Sequence, residues 1–113
     1  MADYGYKEIW EIIGTDLGIA TDMKTRQGRS PEGALIGIVS ALKKAYGETL
    51  PDNFADLRSK STYMGTYYSN ADMLRAFCKQ LKAAMDDAIG RQLITFDECS
   101  AAAFPQIETR WQR

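Results

Sequence analysis

Between Met73 and Ile89, apolar side chains return every third or fourth residue: Met73, Leu74, Phe77, Leu81, Ala84, Met85, Ala88 and Ile89. That period matches the α-helical turn and gathers the apolar residues into one stripe. Arg75, Lys79, Lys82, Asp86 and Asp87 fall largely on the opposite side. Ser69 or Asn70 supplies an N-cap, Ser69 and Asp72 have the spacing of a capping box, and Gly90 ends the pattern. A helix with one wet face must bury the other against neighbouring elements. A single helix of this length holds too few heptads for a coiled coil, so its partners are expected to be other helices of one globule.

The rest of the chain agrees. Ile9, Ile13, Leu17 and Ala20, with Trp10 and Ile12, predict a helix from Tyr6 to Leu17 or Ala20. Gly14 and Gly18 lie within it, each unfavourable by about 1 kcal/mol relative to Ala. Their spacing is read as room for another helix to approach closely. Residues 21–30 read as a polar loop. Ser30 then caps a second long helix, Pro31 occupies its first position and Glu32 complements its positive end. Leu35, Ile38, Val39, Leu42, Ala45 and Tyr46 make its stripe, and Gly47 is the expected stop. A short helix capped by Asp52 or Asn53 should point Phe54 and Leu57 inward. Residues 61–69 read as an ordered, tyrosine-rich loop, because no second strand is evident to pair with them. Thr95 and Glu98 form another capping box before a last helix with Cys99, Ala102, Ala103 and Phe104, where Pro105 either breaks the helix or opens a final turn bearing Ile107 and Trp111. The expectation is therefore all-α: residues 1–113 as a single compact bundle of four to six helices with one ordered Tyr-rich loop.

Composition and charge narrow the function classes. The 113 residues are 45% apolar and 26% charged, as in an ordinary globular protein. The net charge of −1 gives no general attraction to nucleic acid or an anionic membrane. The charge is uneven, however: residues 1–22 carry one Lys against five acids, and residues 23–60 carry seven cations against four acids. Cys78 and Cys99 form no C-x-x-C pair and read as reduced thiols, at least one of them in the core. No apolar leader opens the chain and no run is long enough to span a bilayer, so a cytoplasmic location is expected.

Chemistry is harder to find. The chain has no histidine. That removes Ser-His-Asp and Cys-His nucleophile systems, the commonest zinc sites and the usual neutral-pH general base. Asp86 and Asp87 are adjacent, so on a helix they point about 100° apart. Asp97 and Glu98 suit a first helical turn. No calcium loop and no glycine-rich nucleotide motif occurs. No enzyme activity, cofactor or metal is expected.

Two surface features remain. Lys24, Arg26 and Arg29 precede a helix N-terminus, where cations and free N–H groups suit phosphate, although ordinary solvated loop charges explain them as well. Tyr63, Met64, Tyr67 and Tyr68 offer rigid amphipathic area of the kind enriched at interfaces, or else seal a loop onto the core. The reading that follows is a non-catalytic binding protein acting on another protein as regulator, adaptor or inhibitor. Accessory proteins of phages and mobile elements are often of this kind. The alternatives are a weak nucleic-acid binder using residues 24–29, and a structural subunit of a larger assembly, whose homo-oligomeric version would self-associate.

Overall fold

The computed structural model describes residues 5–26, 28–54 and 70–104. They form a compact all-α globule of five helices, with no strand among the described residues: α1 (Tyr6–Leu17), α2 (Met23–Arg26), α3 (Pro31–Tyr46), α4 (Ala71–Gly90) and α5 (Phe96–Ala103). Two single 3-10 turns, Gly47–Thr49 and Asp52–Phe54, follow α3. The second stands where a short helix was predicted, and it does bury Phe54. Leu57 and the Tyr-rich segment 61–69 lie outside the described residues.

The predicted stripes are the ones that pack. α4 buries Leu74, Phe77, Leu81, Ala84, Met85 and Ala88, while Met73 and Ile89 lie at its margins. Each large side chain removed from water in this way contributes roughly 1.5–3 kcal/mol. α3 is central and touches α1, α4 and α5, and α1 lies along α4. No polar or charged residue is fully buried among those described. Tyr46 reaches the edge of the core, where its hydroxyl lies 2.7 Å from Asp87 Oδ2 and 2.9 Å from the Ala84 carbonyl, both acceptors for its proton.

Local chemistry sets the helix starts. Ser30 Oγ accepts the Gly33 N–H at 3.0 Å, with Pro31 at the first helical position. Asn70 Oδ1 accepts the Met73 N–H at 2.9 Å, so Asn70 is the cap of α4. Thr95 Oγ1 accepts the Glu98 N–H at 3.1 Å, and Glu98 Oε1 accepts the Thr95 N–H at 2.9 Å, completing the predicted capping box.

Two expectations are corrected, and the earlier of the two expected ends of α1 is the one found. The loop 21–30 contains α2: Asp22 accepts both the Thr25 hydroxyl (2.6 Å) and the Thr25 N–H (3.2 Å), and closes one helical turn. α1 stops at Leu17, because Gly18 adopts φ 72° and turns the chain back; Ala20 is exposed and Ile19 takes the buried place. Gly14 is therefore approached by the returning chain and not by another helix. A Cβ there would lie 2.7 Å from Thr21 Oγ1 and 3.3 Å from the Ile19 carbonyl oxygen. The close helix approach occurs at Gly37 of α3, which faces the Ala102 carbonyl of α5 without room for a Cβ. At the end of α4 the left-handed residue is Gln92, at φ 63°, two residues beyond Gly90.

Candidate functional site

The backward turn at Gly18 gives the basic loop its setting. Thr21 lands on α1, where its hydroxyl donates to the Trp10 carbonyl at 3.3 Å. Arg26 then reaches back across α1. Its Nε donates to the Thr21 carbonyl at 2.6 Å, and its guanidinium stacks 4.8 Å from the centroid of the buried Trp10 ring. A cation over an indole face is attracted by the ring quadrupole, by about 0.5–2 kcal/mol according to solvation. Arg29 follows a turn through Gly28, at φ 81°, and donates Nη2 to the Gly33 carbonyl at 3.1 Å. Its Nε is buried without a partner. Lys24 is exposed.

Arg26 and Arg29, but not Lys24, line a hollow of about 400 Å³ between the N-terminal half of α1 and the start of α3, which Tyr6, Trp10, Met23 and Pro31 also line. Met23 is 78% exposed and Tyr6 63%, the two most exposed large apolar side chains among the described residues. The hollow therefore joins an aromatic and thioether rim to two guanidinium groups held in place by the fold. Asp22, at the start of α2, has its carboxyl held under the usual range by the hydrogen bond from the Thr25 hydroxyl.

The three predicted cations Lys24, Arg26 and Arg29 thus lie on one short stretch, but two of them are also tied to their own backbone. Tyr63, Met64, Tyr67 and Tyr68 lie outside the described residues. Sequence reasoning missed Tyr6, Met23 and Pro31 as lining residues. Tyr6 and Trp10 are four apart on α1 and share a face, and Met23 is a lone apolar residue in a polar loop; these were the available signals.

Elsewhere, the two thiols are shielded and the adjacent acids of α4 are paired. Cys78 and Cys99 are both buried and free. Burial first, and the Asp16 charge second, push the Cys78 thiol up to about 12. Burial and Glu98 push Cys99 in the same direction. A nucleophilic cysteine needs the thiolate, and both environments oppose it. Asp86 pairs with Lys82 at 3.1 Å, and Asp87 with Tyr46 and, at 3.7 Å, with Arg91, so the two adjacent acids serve separate partners. No cluster of metal-ligating side chains occurs among the described residues. No helix there is long and apolar enough to cross a membrane. A second apolar depression, of about 430 Å³, lies at the α4–α5 corner with Leu93 and Phe96 on its rim.

Comparison with known protein families, curated proteins and solved structures finds no match to this chain.

Proposed function

We propose that this is a binding protein without chemistry of its own, which acts by docking a protein partner into the hollow between α1 and the loop that precedes α3. The observation that carries the reading is the combination of exposed Met23 and Tyr6 with Arg26 and Arg29 around one concavity. Aromatic residues, Met and Arg are the types enriched at interface centres. Arg26 is fixed by Trp10 and Thr21, so less side-chain freedom is lost when a partner binds. The complementary partner surface is acidic with an apolar anchor.

The second reading, a nucleic-acid ligand, is favoured by the same cations at the N-terminal end of α3. The test is capture of partners from native lysate by the tagged protein, with and without nuclease, repeated with the Tyr6→Ser, Met23→Glu double variant. The protein reading expects one protein recovered in both halves by the parent chain and lost by the variant. Recovery that vanishes with nuclease, and falls steeply with salt as released counterions require, would replace it with the nucleic-acid reading. Recovery unchanged by the double variant would remove the hollow as the site.

A further inference from the structure

Three acids of the strongly acidic start of the sequence find no partner among the described residues. Glu8, Glu11 and Asp16 lie along the outer side of α1, and none has an ion-pair or hydrogen-bond partner among the described residues. Across from them on α4 stand Arg75, Lys79 and Lys82, spaced at i, i+4 and i+7 and therefore on one strip of the helix. Among the described residues Arg75 and Lys79 likewise have no ion-pair partner, and Lys82 pairs with Asp86.

The two rows flank one trough. A hollow of about 520 Å³, lined by Asp16, Arg75, Lys79, Lys82, Ala83 and Asp86, runs into a smaller one of about 170 Å³ that shares Asp16 and Arg75 and adds Glu8 and Glu11. One end of the trough is thus acidic, the other is mainly basic, and an unpaired acid and cation stand where they meet. Glu8 and Glu11 line the one end, Lys79 and Lys82 the other, and Asp16 and Arg75 line both. A partner of single sign, such as nucleic acid or an acidic peptide, would meet repulsion along half of this surface. A second copy of the chain, turned by a twofold rotation, places its basic end over the acidic end of the first and its acidic end over the basic one. Such an isologous contact needs a self-complementary patch, and charge in this arrangement is self-complementary.

We propose that the α1–α4 trough is the contact surface between two copies of this chain. It lies on the side of α1 away from Tyr6 and Trp10, so dimerisation leaves the proposed docking hollow open.

The test is sedimentation velocity of the full chain over a range of concentrations at low and high salt. The expected result is a monomer–dimer equilibrium about tenfold weaker at ~500 mM than at ~50 mM NaCl, because exposed charges are screened. Two charge-reversed variants follow: Arg75→Glu with Lys79→Glu, and Glu8→Lys with Glu11→Lys. Each alone should weaken dimerisation at least about tenfold through like-charge contacts, and their equimolar mixture should form a heterodimer tighter than either homodimer. Far-UV circular dichroism checks that each variant keeps its helices. A wild-type chain that stays monomeric at low salt overturns the proposal. So does a dimer indifferent to both reversals, or a mixture of folded variants that remains monomeric.

Discussion

Replacing Gly37 with Ala tests the tightest contact in the fold. In a solvated helix the change is favourable by about 1 kcal/mol, since glycine has more backbone freedom to lose. At Gly37 the added Cβ would press into the Ala102 carbonyl, with its carbon at 3.1 Å and Arg29 Nη2 at 3.3 Å. The obstruction is backbone, so no side-chain rotation relieves it and α3 and α5 must separate. Overpacking of this kind costs typically 1–3 kcal/mol. Less the propensity gain, the Gly37→Ala protein should be destabilised by up to about 2 kcal/mol. Gly90 is the control: it ends α4, and its Cβ would meet open space. Gly90→Ala should stabilise by up to ~1 kcal/mol. Urea unfolding followed by far-UV circular dichroism separates the two, with midpoints moving in opposite directions at a constant slope of about 1–3 kcal/mol per molar. A Gly37→Ala protein as stable as Gly90→Ala would refute the close crossing of α3 and α5.

Three further outcomes follow from particular side chains. The Cys78 thiol ionises near 9 in the unfolded chain and at about 12 in the fold. Both states keep the proton below pH 9. Above it the unfolded chain binds fewer protons, so stability should fall by up to ~1.4 kcal/mol per pH unit until about pH 12. Cys78→Ala should flatten that part of an alkaline titration of stability, and at neutral pH a thiol reagent should label Cys78 only as fast as the protein unfolds. Tyr46→Phe removes the hydroxyl shared between Asp87 and the Ala84 carbonyl and should lower stability by about 1 kcal/mol, read by urea unfolding. Thr95→Ala deletes the cap of the eight-residue α5 and should cost a similar amount, while Thr95→Ser restores most of it.

What could be read from the sequence was what neighbouring residues decide among themselves. Ser30 with Pro31, and Thr95 with Glu98, satisfy helix ends within a few residues, so their spacing alone marks α3 and α5. The stripe of α4 is equally plain, because one helix face repeats its pattern over five turns. The failures involve partners that the chain brings from elsewhere. Gly14 makes sense only once Gly18 has turned Thr21 back onto α1, and Gly37 only once α5 crosses α3. The polar residues 21–30 hid a helical turn because its stabilising group is a single aspartate, with no apolar stripe to announce it. The basic loop was visible as a cluster, but the ring under Arg26 belongs to a helix that the same reading had assigned to the core.

That shared ring bears on which ligand the loop suits. A phosphate chain is bound largely through charge, and mobile lysines serve it as well as fixed arginines. Here the fold uses a carbonyl and an indole face to hold Arg26, and a second carbonyl to hold Arg29, with no carboxylate among the described residues neutralising either. Their charge remains available while their direction is set. Beside them, Met23 and Tyr6 present apolar surface to water, which a phosphate backbone would leave uncovered and a protein surface would bury. A guanidinium whose orientation is already determined contributes more to a partner with a matching carboxylate fork than to a uniform line of charge. The directional arginines and the apolar rim together are why a folded or folding protein segment, and not a nucleic acid, is the occupant proposed for this hollow.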